Sequence, residues 1–192
     1  PPPPPPPPFS SRRRHTRYSL QSRGLGDVYK RQALLRARPV AGSAIIAREF
    51  ERVRNDTLTA RVRRDSLRDD VVSMRGRMRK ELDKSDDARF DLKQGRGGIG
   101  DIEFIVQYLV LANAEQNPAV IHYPDNIRQL ATLAATGCLG QERALRLQDA
   151  YRAYRLRLHR LSLDEQASVV DAAEFVAERK SVVGIWEVVF GE

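Results

Sequence analysis

The spacing of apolar residues constrains the fold of this chain most, because from residue 43 onward it follows the period of an α-helix. Within residues 66–84 the apolar side chains recur at steps of four, three, four and four. They are Leu67, Val71, Met74, Met78 and Leu82. A stripe of this kind predicts a helix with one buried face. Similar spacing predicts further helices over 43–59, 125–136, 139–163 and 169–190.

Residues 101–115 differ because apolar side chains cover most of the helical circumference. This predicts a central helix that is largely buried. The run "EFIVQYLVL" within it also fits a buried strand, since periodicity alone does not separate the two structures. Its length and the lack of a partner strand favour the helix. No strand pair is recognisable elsewhere, so the sequence predicts an all-α fold, an irregular bundle of five to six helices.

Particular residues predict how several of these helices begin, end and pack. Ser43 and Asp125 are predicted N-caps, and Ser66 is predicted to open an acidic capping box. Gly137 is expected just past the end of the helix that Asp125 begins. The last helix is expected to dock through Trp186.

The first 32 residues differ in composition from the rest of the 192-residue chain. They contain eight of the 11 prolines, and seven Lys or Arg residues against one acid. The strings "SSRRRHTR" and "GLGDVYKRQ" within them resemble translated sequencing-adapter sequence. Residues 1–32 are therefore expected to be non-native and disordered, and residues 33–192 to form one helical domain. A genuine basic arm that contacts an acidic partner is the alternative.

Charge and composition argue against several classes of function. The chain carries +8, but residues 33–192 hold 26 basic and 24 acidic residues, a net charge of +2. Such a domain does not favour nucleic-acid binding, although the 139–163 helix carries a row of arginines. The row consists of Arg143, Arg146, Arg152, Arg155, Arg157 and Arg160. No apolar run approaches the ~20 residues of a membrane span.

The few sulfur and imidazole side chains predict neither a disulfide nor a metal site. A single cysteine, Cys138, permits no intramolecular disulfide, which fits a reducing, cytoplasmic compartment. His122 and His159 lie far apart in the chain, without the spacing that zinc ligands show.

The stretch "FDLKQGRGGIGDIEF", residues 90–104, places Lys93 and four glycines directly before the predicted 101–115 helix. Its letters match the dinucleotide-binding pattern G-x-G-x-x-G, but no buried strand flanks it, so that interpretation is rejected. Free backbone amides at a helix N-terminus, with Lys93 beside them, would bind phosphate. Alternatively the glycines form a tight turn capped by Asp101, which composition alone favours. A metal held near Asp101 and Glu103 is a further alternative.

The stretch also resembles the signature of the bacterial glutamine synthetase adenylyltransferase and adenylyl-removing enzyme family. The matching residues are Lys93, Gly97, Gly98, Asp101, Ile102, Glu103, Phe104, Gln107 and Tyr108. Further ordered segments are similar to the family, and together they cover 33–190. They include "ALLRARPVAGS", "FERVRNDTL", "VVSMRGRMRKEL", "DNIRQLATLAATGCL" and "LQDAYRAYRLRLHRLSL".

The resemblance implies an ATP-dependent nucleotidyltransferase of nitrogen metabolism that needs Mg²⁺ in its full-length form. It implies that this chain is the helical domain following the catalytic palm, from the C-terminal, adenylylating unit, with the removing unit as the closest alternative. The family's paired aspartates and Gly-Ser loop do not occur in residues 33–192. The chain is therefore expected to hold no catalytic residue, metal or cofactor of its own, and to be inactive alone.

The resemblance also implies a site and partners. Lys93, Gly97 and Gly98 are expected to face the nucleotide cleft, with Asp101 and Glu103 orienting them. Glutamine synthetase and the PII signal protein are the expected partners, with neither nucleic acid nor a membrane. Two alternatives stay open. One is a helical module that docks glutamine synthetase or PII without chemistry of its own, and the other is the related PII uridylyltransferase.

Overall fold

The computed structural model describes residues 23–60 and 64–191, and within these ranges the fold is almost entirely helical. Seven α-helices are α1 (Arg23–Arg36), α2 (Ala44–Thr59), α3 (Arg64–Leu82), α4 (Ile99–Asn113), α5 (Asn126–Ala135), α6 (Gln141–Leu163) and α7 (Val176–Phe190). A short 3-10 helix, Pro118–Ile121, lies between α4 and α5. Two three-residue strands are β1 (Arg89–Asp91) and β2 (Val169–Asp171). The predicted all-α class is confirmed, but the described residues form seven α-helices instead of the predicted five to six, and α1 is the one for which no helix was predicted.

Helix α4 lies at the centre of the bundle. It contacts α3, α5, α6 and α7, and its Ile102, Ile105, Val106 and Val110 side chains are fully buried. A helix surrounded by others must be apolar on most sides, because it has no face left for water. The predicted central helix is thus confirmed, and its first residue is Ile99 instead of Asp101.

A two-stranded antiparallel sheet is the feature that the sequence did not predict. Phe90 of β1 lies opposite Val170 of β2, with Arg89 opposite Asp171 and Asp91 opposite Val169. The expectation that the chain has no strand pair was therefore wrong, as was the helix predicted to begin at 169. Three residues are too few to show the two-residue alternation of a strand. The partners are also far apart in sequence, so no turn signal connects them.

Two of the three predicted N-caps are confirmed. The Ser43 Oγ accepts a hydrogen bond from the Ile45 amide at 3.3 Å, and the Asp125 carboxylate accepts one from the Arg128 amide at 3.0 Å. Gly137 follows α5 with a φ of +74°, as a residue past a helix C-terminus commonly does. The prediction of a capping box at Ser66 was wrong, because α3 already begins at Arg64.

The N-terminal boundary drawn at residue 32 falls inside α1. The guanidinium of Arg31 donates to the Thr57 carbonyl at 2.7 Å, and Leu35 is fully buried in the core. Residues 1–22 lie outside the described residues. That residues 1–32 are non-native stays a prediction.

Helix α7 closes the bundle, as predicted, through Trp186. This side chain is 6% exposed and packs on Phe190, with ring centroids 4.3 Å apart. Phe190 also packs on Tyr108 of α4 at 4.9 Å. The Arg68 Nε donates to the Phe190 carbonyl at 2.6 Å, which joins α3 to the last turn of α7.

Candidate functional site

Residues 92–98, here called the glycine loop, connect β1 to α4. Side-chain carboxylates of the chain itself occupy several amides of this loop. The Gly97 amide donates to the Asp101 Oδ2 at 2.7 Å. The Lys93 and Gln94 amides both donate to the Asp91 Oδ1, at 2.8 and 3.1 Å. These carboxylates fill the positions in which a bound phosphate would accept hydrogen bonds.

Backbone carbonyls of the same segment satisfy further amides. Gly95 donates to the Asp91 carbonyl, Gly98 to that of Gly95, and Ile99 to that of Leu92, each at 2.9 Å. The expectation of free amides awaiting an anion was therefore wrong. The glycine loop is a tight turn, the alternative that composition favoured. Asp101 supports this turn from the first turn of α4, where it bonds the Gly97 amide instead of serving as the N-cap, which is Gly98.

Close backbone approaches explain why the loop contains glycine at two positions. Gly97 has a φ of +82°, and a Cβ there would lie 2.7 Å from the Arg179 carbonyl oxygen. A Cβ on Gly98 would lie 2.8 Å from the carbonyl oxygen of Leu92. Real Cβ atoms do not approach oxygen so closely, so only glycine fits without moving the backbone.

Asp101 is the centre of a buried ion cluster beneath the loop. Its Oδ1 accepts hydrogen bonds from the Arg75 Nε and the Arg79 Nη2, both at 2.7 Å. The Arg75 and Asp101 side chains are each only 1% exposed. Arg75 also donates to the Gln94 side chain at 2.8 Å and the Gln94 carbonyl at 2.9 Å. Charged groups so deeply buried are stable only when paired, so this cluster holds the loop against α3.

Tyr154 ties the glycine loop to α6. Its ring is fully buried, and its hydroxyl donates to the Gly97 carbonyl at 3.0 Å. Burial, assisted by the negative charge of Glu178, raises the pKa of the Tyr154 hydroxyl far above its usual value. The hydroxyl therefore stays protonated and remains a hydrogen-bond donor at physiological pH.

Lys93 is the exposed residue of the predicted site. Its amide is held by Asp91, and its carbonyl accepts from the Gly100 amide at 2.9 Å, so its backbone is fixed on both sides. Lys93 lines a pocket of about 180 Å³ between α3, α4 and α6, here called the Lys93 pocket. Within the described residues, the Lys93 ammonium has no ion-pair partner.

Glu103 also lines the Lys93 pocket, but it is engaged elsewhere. Its Oε1 lies 3.1 Å from the Arg36 Nη2, and the Asn126 amide approaches it at 3.5 Å. In the structure, therefore, Glu103 anchors α1 and does not contact Lys93. The other three predicted residues, Gly97, Gly98 and Asp101, are buried and do not line the pocket.

Sequence reasoning missed the residues that support the loop, namely Asp91, Arg75, Arg79 and Tyr154. One signal was present, because Arg75 follows Val71 by four residues and so lies on the buried side of its helix. An arginine in that position needs a buried acceptor. The sequence does not say which carboxylate supplies it.

The described ranges 23–60 and 64–191 contain no group of three His, Cys, Asp or Glu side chains placed to hold a metal ion. The carboxylate nearest the pocket, Glu103, is engaged by Arg36. These residues therefore do not fit a Mg²⁺ site. In the same ranges, no helix combines the length and apolar character needed to cross a membrane.

Comparison with known proteins identifies the class to which this arrangement belongs. The family model described as GlnD PII-uridylyltransferase matches residues 65–178, which include α4, α5, α6 and the glycine loop. The chain belongs to this family of nucleotidyltransferases.

Individual relatives give a more specific match than the family model. Their names are those of the family that the glycine stretch resembles. The bifunctional glutamine synthetase adenylyltransferase/adenylyl-removing enzyme of Thioalkalivibrio sulfidiphilus is 49% identical over 164 residues, which are 85% of this chain and 17% of that protein. Its namesake from Nitrosococcus oceani is 48% identical over 82% of this chain and 16% of its own length. That from Pseudomonas aeruginosa is 41% identical over 82% of this chain. The chain thus spans about a sixth of these relatives.

Proposed function

We propose that this chain is part of an enzyme that adenylylates and deadenylylates glutamine synthetase, and that its helices line the ATP cleft with Lys93 facing the phosphates. The relatives named above support the activity. One observation carries the role of Lys93. Its backbone is fixed by Asp91 and Gly100, whereas its ammonium group is exposed and unpaired among the described residues. A positioned and uncompensated cation is suited to bind phosphate.

Adenylyl transfer joins the hydroxyl oxygen of the acceptor tyrosine to the α-phosphorus of ATP. The bond between that phosphorus and the β-phosphate oxygen breaks, the hydroxyl proton passes to solvent, and pyrophosphate leaves. In the complete enzyme Mg²⁺ supplies charge neutralisation of the triphosphate. The residues described in this chain do not form the metal site or the catalytic centre, and their contribution is to bind and orient.

The buried residues of the predicted site act by positioning Lys93. Asp101 holds the Gly97 amide and two arginines, while the close approach of the backbone at Gly97 and Gly98 keeps the turn compact. Glu103 fixes Arg36 at the edge of the pocket. A lysine mounted on such a support loses little further backbone entropy when it binds.

Glutamine synthetase and PII are the proposed protein partners, and the cytoplasm is the proposed compartment. Neither nucleic acid nor a membrane is part of the proposal. A docking module without chemistry is the second candidate, favoured by Ile45 and Ile46 of α2, which are each 71% exposed. A PII uridylyltransferase is the third, favoured by the name of the matching family model.

Substitution of Lys93 by Ala tests the proposed function. The 192-residue chain is titrated with ATP by calorimetry, with and without Mg²⁺. Loss of one charge-assisted contact is expected to weaken binding about tenfold or more. Lys84→Ala is the matched control, since Lys84 is also exposed but lines none of the pockets described.

Activity is measured in a chimera in which this chain replaces the matching 164 residues of the Thioalkalivibrio sulfidiphilus relative. The chimera is expected to adenylylate glutamine synthetase, with Lys93→Ala lowering kcat/KM for ATP and Lys84→Ala leaving it unchanged. Equal ATP affinity and equal activity of the two variants would contradict the proposed role of Lys93.

A further inference from the structure

Arg155 of α6 lines the Lys93 pocket, as do Lys93 itself and Arg75 of α3. The position of Arg155 follows from the residue before it, because the Tyr154 hydroxyl is bonded to the Gly97 carbonyl and so holds this turn of α6 against the glycine loop. Arg155 and Leu158, one turn apart on the same face, both line the pocket. The pocket is thus lined both by the glycine loop and by α6, which is far from the loop in sequence.

Among the described residues, three of the six arginines in the row along α6 have no carboxylate partner. They are Arg143, Arg155 and Arg160, and of these three only Arg155 lines the Lys93 pocket. Arg146 is paired with Glu142, Arg152 lies 3.1 Å from Asp149, and Arg157 lies 3.1 Å from Glu174. Those three pairs neutralise half of the six-arginine row. The positive charge of Arg155 therefore contributes to the electrostatics of the pocket.

The electrostatic balance of the pocket is positive. Glu103 is the carboxylate among the lining residues, and the Arg36 guanidinium at 3.1 Å engages it. The guanidinium of Arg75, which also lines the pocket, is occupied by Asp101 and Gln94. Lys93 and Arg155 therefore line the same pocket, and within 23–60 and 64–191 neither has a carboxylate partner, an arrangement that favours an anion.

The size of the pocket limits which anion fits. About 180 Å³ is less than the roughly 300–1,000 Å³ of pockets that enclose a whole drug-sized ligand. A nucleoside with its phosphates is of that larger class. The space suits one or two phosphate groups.

We propose that the Lys93 pocket binds the pyrophosphate moiety of a nucleoside triphosphate, or the pyrophosphate released from it, and that Arg155 is a binding residue together with Lys93. This inference rests on the proposed function, because adenylyl transfer is the reaction that supplies such a group. The base and ribose bind outside this pocket.

Titration with inorganic pyrophosphate and with adenosine tests the inference on the 192-residue chain. The parent is expected to bind pyrophosphate, more weakly as salt concentration rises, and not to bind adenosine in the pocket. Arg155→Gln is expected to lower pyrophosphate affinity about tenfold. Arg152→Gln, three residues away on the same helix and outside the pocket, is expected to leave it unchanged. Side-chain NMR signals of ¹⁵N-labelled arginine report whether Arg155 itself contacts the anion.

Three results would overturn the inference. They are no pyrophosphate binding by the parent, equal weakening by Arg155→Gln and Arg152→Gln, or an Arg155 signal that pyrophosphate does not move. Circular dichroism melts show whether each variant stays folded. If Lys93→Ala still impairs ATP binding while Arg155→Gln does not, the proposed function stands and the role of Arg155 falls. If neither variant weakens ATP binding, both the proposed role of Lys93 and the proposed role of Arg155 are contradicted.

Discussion

At the scale of single residues, the glycine loop is determined by which atoms satisfy its backbone amides. Asp91 and Asp101 accept from amides at the two ends of the loop, and both carboxylates are nearly inaccessible to solvent. An anion would have to displace these intramolecular acceptors. We therefore propose that the loop binds an anion through the Lys93 side chain. Its glycines allow the tight turn of the backbone.

Gly97→Ala tests this view of the loop. The methyl group would meet the Arg179 carbonyl and would also stand on a left-handed backbone, so we expect a loss of about 2–5 kcal/mol in unfolding free energy. Urea unfolding measures it. Gly137→Ala is the control, since Gly137 has a similar φ of +74° but no atom within 4 Å of its Cβ position. It is expected to lose only the backbone part, about 1–2 kcal/mol. Equal losses would show that the approach to Arg179 is not limiting.

At the scale of elements, buried polar side chains join helices that the apolar stripes do not specify. Arg54 of α2 is 4% exposed and donates to the carbonyls of Leu34, Leu35 and Ile121, at distances of 2.9, 3.1 and 3.0 Å. It thereby fixes the end of α1 and the 3-10 helix to α2. Three elements depend on one side chain because irregular helix ends leave carbonyls without intrahelical donors.

Arg54→Met is expected to destabilise the protein by about 3 kcal/mol, since the methylene volume is kept but buried carbonyls lose their donor. Thermal and urea unfolding measure the loss. Arg52→Met on the same helix is the comparison. Arg52 is exposed and, in the described part of the chain, pairs only with Glu49 and Asp56, so no measurable change is expected there. If both variants unfold at the same urea concentration as the parent, the hydrogen bonds of Arg54 do not stabilise the packing of these elements.

At the scale of the whole molecule, one predicted apolar face is only partly used. The stripe of α2 buries Leu58 completely but leaves Ile45 and Ile46 71% exposed. The core is built around α4 and reaches α2 only near its C-terminal end. The N-terminal half of α2 thus contributes little to the stability of this domain.

Two substitutions in α2 compare how much its N-terminal and C-terminal halves contribute to stability. Leu58→Ala is expected to cost about 2–5 kcal/mol because it leaves a cavity in the core. Ile46→Ala is expected to change the unfolding free energy by no more than about 0.5 kcal/mol. Both values come from urea unfolding of the 192-residue chain. A cost for Ile46→Ala similar to that for Leu58→Ala would mean that the face is buried after all.

The sequence by itself determined the helical class, most of the helix boundaries and the family. These follow from local periods, capping residues such as Ser43 and Asp125, and ordered motifs, all of which operate over a few residues. Tertiary structure alone decided the β1–β2 pairing and the placement of Arg75 and Tyr154 against the glycine loop. Each of these joins segments distant in the chain, so the partner is set by how the helices pack around α4 and not by any neighbouring residue. For the same reason, only the packed bundle brings Arg155 and Lys93 to one pocket.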